Sequence, residues 1–252
     1  PIAFNNIPGN IRVPLFYAEV DNSQAGVFQD NLRLLLIGQI APINPAYPSP
    51  LATPDEPVLV QRGQEDTLFG AGSILSRMVQ VAYQNHPFGE IWALPVNDHA
   101  SGVQAEGEIT VAIAPVASNG VIYLYIGGQR VVVGVSTTDT DGIIASNIAS
   151  AITSNPNLPV EAVYGGTNSV TLLAKNFGTL GNEIDIRLDY YEDEISVGAS
   201  GITINPMGSI TAGAADPDIT TALANLSDEP FDWIVSPYTD SVNLNALGDE
   251  LN

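Results

Sequence analysis

Short apolar runs of strand length recur near both ends of the chain, and helical patterns separate them. The runs at 32–40 (LRLLLIGQI), 90–96 (EIWALPV) and 231–236 (FDWIVS) are rich in apolar residues, as is usual for strands that are covered on both faces. Another short strand is predicted to begin at 58 (VLVQRG). Strands that alternate with helices predict an α/β domain with a largely parallel sheet.

Three helices are predicted between and after these strands. They span 66–84, 216–226 and 241–251, where apolar residues recur at helical spacing. The first presents one face of Ala71, Leu75, Met78 and Ala82, and the last presents Leu244, Leu247 and Leu251. The predicted caps are Asp66 or Thr67, then Asp216 followed by Pro217, then Asp240 or Ser241.

The stretch 97–215 has a different character, because closely spaced hairpin signals replace the α/β pattern. Asn119-Gly120 and Gly127-Gly128 suit two-residue turns, and a further hairpin is predicted over 160–175. One helix is predicted over 138–155, capped by Asp139 or Asp141. A β-rich domain inserted after the strand at 90–96 accounts for this interruption.

The predicted fold class is therefore an α/β (α+β) core domain with an inserted β-rich domain, in a multi-domain chain with an extended N-terminal arm. The predicted divisions are 1–26 for the arm, 27–96 for the first part of the core, 97–215 for the insertion and 216–252 for the continued core. In the arm, residues 13–20 are apolar except Glu19, and Pro8 and Pro14 disfavour a helix.

Charge and composition exclude several function classes. The chain has 28 acidic against seven basic residues, giving a net charge of −21, and it contains no cysteine. Such a surface repels phosphate groups, so neither nucleic acid nor an anionic membrane surface is an expected partner. Without cysteine there are no disulfides and no thiolate metal sites.

The residues that follow two predicted core strands are the strongest candidates for chemistry. If those strands are parallel neighbours, Asp98, His99, Ser236, Tyr238 and Asp240 meet at the edge where open α/β sheets bind ligands. A hydrolase using His99 with Ser236 or Asp240 is the alternative function. However, no G-x-S-x-G motif surrounds Ser236, and turn residues at a domain junction explain the same pattern.

Other candidate sites have simpler explanations. His86 falls in a turn that ends a helix, and two histidines without cysteine make a poor zinc site. A calcium loop aligned on Gly142 fails because Ile148 stands where glutamate is required. The acidic run 190–194 (YYEDE) is expected to be a solvated turn. A third function, carbohydrate binding, would use Tyr123, Tyr125 and Tyr164, although core packing also explains these tyrosines.

Several stretches in succession resemble the tail sheath proteins of Mu-like contractile-tailed bacteriophages or prophages. The resemblance extends over almost the whole chain, although each stretch alone is unspecific. These stretches are RVPLFYAEVDNSQAG, DTLFGAGSILSRMVQVAYQNHPFGEIWALPV, YIGGQRVVVGVSTTDTDGIIASNIASAI, NFGTLGNEIDI and PFDWIVSPYTD.

This resemblance implies a structural subunit, with neither an active site nor a cofactor. Sheath subunits stack as rings around a tail tube and contract to drive genome ejection into the host. The implied partners are other sheath subunits, the tube protein, the baseplate and the tail terminator. The implied locations are the virion tail and, during assembly, the host cytoplasm.

The resemblance also implies that terminal arms add strands to a neighbouring subunit's sheet, a recognised mode of association. The candidate subunit-contact residues are Arg12, Val13, Leu15, Phe16, Tyr17 and Val20. Family members continue beyond the position of Asn252, so a chain ending there is expected to lack part of the core and the C-terminal arm. Such a fragment is expected to be monomeric.

Overall fold

The computed structural model describes residues 32–42, 48–87, 89–227 and 229–251, which form a mixed α/β structure. The strands in these ranges are β1 (Arg33–Gln39), β2 (Val58–Leu59), β3 (Glu90–Val96), β4 (Gln104–Val111), β5 (Gly120–Ile126), β6 (Gln129–Val135), β7 (Val160–Tyr164), β8 (Ser169–Phe177), β9 (Ile186–Leu188), β10 (Ile202–Asn205) and β11 (Trp233–Val235). The α-helices are α1 (Glu65–Phe69), α2 (Ile74–Asn85), α3 (Asp141–Thr153), α4 (Thr220–Ala224) and α5 (Ser241–Glu250).

The first sheet has the strand order β11-β1-β3-β2, and β1 is parallel to both of its neighbours. Its register places Leu36 beside Ala93 on one side and beside Val235 on the other. The three apolar runs predicted as core strands are therefore confirmed, although β11 is shorter than its run. The short strand β2 is antiparallel to β3.

Both faces of this first sheet are covered, which explains its nearly continuous apolar strands. Side chains alternate between the faces. Leu35, Ile37 and Leu94 pack with α4 and its flanking residues, whereas Leu36 and Ile91 pack against α2.

The helix predicted over 66–84 is in fact two helices. Gly70 and Gly72 both have positive φ, which ends α1 and turns the chain before α2 begins. Ser73 caps α2 by accepting a hydrogen bond from the Ser76 N–H, so the prediction of Asp66 or Thr67 as its cap is wrong. Asp66 instead accepts a hydrogen bond from the Ser76 hydroxyl.

Two other cap predictions are also wrong, and one is confirmed. Asp216 accepts hydrogen bonds from Thr179, and α4 begins later, without a side-chain cap. Thr140 caps α3 in place of Asp139 or Asp141. Asp240 caps α5 as predicted, with Oδ1 accepting from the N–H groups of Val242 and Asn243.

Residues between β3 and α4 build two further sheets. Their strand orders are β10-β4-β8-β7 and β6-β5-β9, and every pairing in them is antiparallel. Ile144, Ile148 and Ile152 of α3 pack into the hydrophobic core that these sheets share. Gly127-Gly128 turns β5 into β6 as predicted, but Asn119-Gly120 does not form a hairpin turn, since β4 and β5 lie in different sheets.

Among the residues described, none of the helices combines the length and apolar character that a membrane crossing requires.

Replacing Gly72 tests the break between α1 and α2. Gly72→Ala places a Cβ in steric overlap with the Leu158 carbonyl oxygen and forces alanine to adopt φ of +77°. Gly63→Ala is the control, because Gly63 has φ of +89° but open space around it. We expect Gly72→Ala to lower the free energy of unfolding in urea by at least about 1 kcal/mol more than Gly63→Ala. Equal losses would contradict a steric role for this close approach.

Candidate functional site

The predicted strand-end residues follow the carboxyl ends of β3 and β11 in the first sheet, but they do not form a catalytic group. Strands β3 and β11 flank β1 and are not neighbours of each other. His99 is exposed, and its Nδ1 lies 2.9 Å from the Ser101 hydroxyl. The Ser236 hydroxyl accepts a hydrogen bond from the Tyr238 N–H, and Asp240 caps α5. His99, Ser236 and Asp240 therefore form hydrogen bonds with neighbouring groups and not with one another, as a catalytic triad would require.

Asp98 instead takes part in a polar network, which we call the joint, with Gln39 and Asn176. Its Oδ1 accepts from Gln39 Nε2 at 2.6 Å and from Asn176 Nδ2 at 3.0 Å. Gln39 Nε2 also donates to the Phe177 carbonyl, and Asn176 Nδ2 donates to the Ile40 carbonyl. The joint therefore connects the ends of β1, β3 and β8.

A second set of contacts holds the same two parts of the structure together. Asn176 Oδ1 accepts from the Ile74 N–H at the start of α2, 3.1 Å away. The Lys175 ammonium donates to the Ala71 and Pro156 carbonyls. Arg77 of α2 donates to the Gly127 carbonyl at 2.6 Å. Burial lowers the pKa of both Lys175 and Arg77, and nearby carboxylates partly oppose this shift for Lys175.

The joint contains a carboxyl group in an unfavourable environment for charge. Burial raises the pKa of Asp98, and hydrogen bonds from Asn176, the Phe177 backbone and Gln39 oppose that shift. Asp98 Oδ2, Gln39 Oε1 and the Tyr238 hydroxyl are buried without a hydrogen-bond partner among the described residues. Burial and the nearby Asp98 and Asp216 also raise the pKa of Tyr238, so its hydroxyl stays protonated.

One edge of the first sheet, formed by β11, is unpaired within the described ranges; we call it the β11 edge. Trp233 is 53% exposed and Val235 is 43% exposed. Leu244 on α5 and Leu251 just after it are also exposed, whereas Leu247 packs against the core. An unpaired strand edge with exposed apolar side chains is a ready template for another strand.

A largely apolar groove of about 670 Å³ runs beside the β11 edge. Its lining includes Leu34, Leu36 and Val235 of the sheet, together with Met78 and Val81 of α2. Because Leu36 and Val235 are register partners, the groove lies on the face of the sheet that carries α2. A strand that paired with the β11 edge could therefore also bury apolar side chains in this groove.

The six candidate arm residues, Arg12, Val13, Leu15, Phe16, Tyr17 and Val20, lie outside the described residues, and their role stays a prediction. His86 ends α2, as expected for a turn position. No group of three or more histidine, aspartate or glutamate side chains within the described ranges could hold a metal ion.

The acidic run 190–194 is only partly a solvated turn. Tyr190 and Tyr191 are exposed, but the Glu194 side chain is buried and accepts from the Tyr125 hydroxyl at 2.8 Å. Burial and the Glu194 carboxylate raise the pKa of Tyr125 to about 12. The three tyrosines predicted to bind carbohydrate are not brought together, because Tyr164 lies on β7 in a different sheet from β5.

Asp98 offers a test of the joint, because two replacements change it in opposite ways. Asp98→Asn keeps an acceptor at Oδ1, removes the desolvated charge and adds a donor near the unpartnered oxygens. We expect no loss of stability from it. Asp98→Ala leaves the buried amides of Gln39 and Asn176 without this acceptor, and we expect a loss of about 1–3 kcal/mol in urea unfolding.

Asp98→Asn compared with the unsubstituted protein also gives a pH dependence with a defined sign. Because the pKa of Asp98 is higher in the folded state, the folded protein binds more protons, and this group lowers stability as pH rises through its folded pKa. The destabilisation is absent below the unfolded pKa of about 3.9. The stability advantage of Asp98→Asn over the unsubstituted protein should therefore grow as pH increases. A difference that shrinks with pH would contradict this assignment.

Comparison with known proteins gives a relationship over nearly the whole chain. No family model matches it. The Mu-like prophage FluMu tail sheath protein of Haemophilus influenzae is 33% identical over 253 residues, covering 99% of this chain and 50% of that protein. This chain thus spans about half the length of that relative.

Among solved structures, the D2-D3 domains of the flagellar cap protein FliD from Escherichia coli match 46% of this chain and 71% of that one. The TM-score is 0.23 and the sequence identity 14%, so this likeness supports no conclusion about the fold or function. The sequence relationship carries the assignment: over nearly its whole length, this chain is a relative of the Mu-like tail sheath proteins.

Proposed function

We propose that this chain is a structural subunit of a contractile phage tail sheath, which assembles around the tail tube and contracts to drive genome ejection. The observation that carries the proposal is the 33% identity to a Mu-like tail sheath protein over 99% of the chain. The proposed partners are other sheath subunits in a helical stack, the tube protein, the baseplate and the tail terminator. The proposed location is the virion tail, after assembly in the host cytoplasm.

A structural rather than enzymatic role agrees with the strand-end residues. His99 bonds with Ser101, and Ser236 and Asp240 hold their local backbone. Asp98 is committed to the joint. Ser236 and Asp240, which the hydrolase alternative requires, thus stabilise the fold. His99 is exposed, and its described hydrogen bonds include none to a carboxylate that would orient it for catalysis.

The domain organisation that we propose is a core of 27–96 and 216–252 interrupted by a β-rich domain of 97–215. It is supported by the path of the chain, which leaves the first sheet after β3 and returns to it through α4 and β11. The antiparallel sheets between these points have their own hydrophobic core. The joint then fixes the orientation of this domain on the core sheet.

We also propose that the arm at 1–26 adds a strand to the core sheet of another subunit, at the β11 edge. Residues 13–20 are apolar except Glu19. An extended strand there can therefore place apolar side chains both in the groove and on the opposite face of the sheet. Backbone groups of an open edge supply affinity, and pockets for alternate side chains supply specificity. Many such contacts rearranged together form a bistable lattice, which is the proposed source of contraction.

Assembly of the full-length protein tests this proposal. At high concentration, with the tube protein as template, negative-stain electron microscopy is expected to show tubes or stacked rings. Val235→Lys puts a charge on the β11 edge and should abolish them. Leu59→Lys is the matched control, because Leu59 is 47% exposed on β2 at the opposite edge of the same sheet. Leu59→Lys should assemble normally.

Uniform single particles of the unsubstituted protein, even with the tube protein present, would contradict the sheath function. Assembly by Val235→Lys at the level of Leu59→Lys would leave the sheath function standing but contradict the choice of the β11 edge.

A further inference from the structure

The loop between β9 and the short 3₁₀ turn at Ala199–Gly201, residues 189–197, presents large side chains to solvent; we call it the tyrosine loop. Tyr190 and Tyr191 are each more than half exposed, and Ile195 is 80% exposed. Loops that display aromatic and aliphatic side chains from a rigid scaffold are frequent binding sites. Nothing in the proposed sheath contacts at the β11 edge uses this surface.

Both ends of the tyrosine loop are held in place by hydrogen bonds. Asp189, whose φ is +49°, accepts from the Ser196 N–H at 2.9 Å and from the Ser196 hydroxyl at 2.6 Å. Ser196 in turn accepts from the Tyr123 N–H, and the Val197 N–H donates to the Val121 carbonyl. A non-glycine residue in the left-handed region persists where the surroundings fix it, so the loop has a defined shape.

The aromatic rings of the loop are also fixed. Tyr125 packs against Tyr190 and Tyr191 with ring centroids 5.5 Å and 5.8 Å away, and Tyr190 and Tyr191 are themselves 5.1 Å apart. The Tyr125 hydroxyl donates to Glu194, which also pairs with Arg130 at 2.9 Å. A surface organised in this way before binding loses little side-chain freedom when a partner docks.

Charge indicates what kind of partner fits this surface. Glu192 and Asp193 are exposed between the tyrosines and Ile195, whereas the nearby guanidinium groups already have carboxylate partners: Arg187 pairs with Asp185, and Arg130 with Glu194. Arg187 also lies over the Tyr190 ring, 5.8 Å from its centroid. Tyrosine faces attract cations, and the chain's net charge of −21 attracts a basic partner and repels another copy of this chain.

We propose that the tyrosine loop is a docking surface for a basic, arginine-containing segment of another protein. Arginine side chains of that segment lie on the exposed faces of Tyr190 and Tyr191, and they pair with the carboxylates of Glu192 and Asp193. Ile195 covers the aliphatic part of the segment. This inference does not depend on the sheath function, because it uses only the geometry and charge of the loop.

Peptide binding to the intact protein tests the proposal. The probe is a fluorescent peptide of alternating arginine and glycine, and its partner probe replaces each arginine by neutral citrulline. Fluorescence anisotropy should show binding of the arginine peptide and no binding of the citrulline peptide. Tyr190→Ala with Tyr191→Ala should weaken it about fivefold or more, whereas the two Tyr→Phe replacements should keep most of the affinity.

Matched controls separate the loop from general attraction to an acidic protein. Tyr164→Ala removes another partly exposed tyrosine, and it should bind like the unsubstituted protein. Glu192→Gln with Asp193→Asn should weaken binding more than Asp249→Asn with Glu250→Gln, an exposed acidic pair on α5. Circular dichroism spectra should be unchanged in all variants, which would show that each variant is still folded.

Three results would overturn the proposal. Equal weakening by the two acidic pairs would mean non-specific charge attraction. Unchanged affinity after both tyrosine replacements would exclude the loop. Binding of maltose, cellobiose or chitobiose at the same tyrosines, or loop-dependent self-association in sedimentation velocity, without binding of the arginine peptide, would assign the surface to a glycan or a second copy instead.

Discussion

Burial of β1 on both faces and along both edges is the constraint on which the rest of the described structure depends. An apolar strand of this kind is stable only when helices cover each face and strands pair at each edge. Helix α2 covers one face, and α4 with its flanking residues covers the other, although α2 ends at Asn85 and α4 begins only at Thr220. The residues around α4 and β11 are therefore needed to complete a sheet that the first part of the chain begins.

Hydrogen bonds at the end of β1 connect this buried strand to the β-rich part of the structure. Gln39 is fully buried, and burying its amide donor without a hydrogen bond would cost free energy. Its Nε2 is satisfied by Asp98 and the Phe177 carbonyl, which belong to the segment just after β3 and to β8. The polar end of a core strand thus determines where the antiparallel sheets sit, and this explains why a carboxyl group remains buried there despite its raised pKa.

Sequence patterns predicted the elements that depend on local chemistry and missed the features that depend on distant contacts. The strands, the Gly127-Gly128 turn and the Asp240 cap follow from residues within a few positions of one another. The break at Gly70 and Gly72 is missed because apolar spacing continues across it, while the backbone there follows its contact with Leu158. Likewise, Asp98 meets Asn176 across 78 positions, and Glu194 meets Tyr125 across 69, so no periodicity signals either contact.

The acidic surface limits how copies of this chain can associate. At −21, identical subunits repel one another beyond short range, and salt in the cell weakens that repulsion over about 8 Å. Attraction between copies must then come from contacts that act at close range, such as strand pairing and apolar burial. The β11 edge offers both, because Trp233 and Val235 bring no charge to the edge. In the assembly that we propose, repulsion at a distance combined with attraction at the β11 edge favours one register, since an arm strand paired out of register would lose the apolar contacts while the repulsion remained.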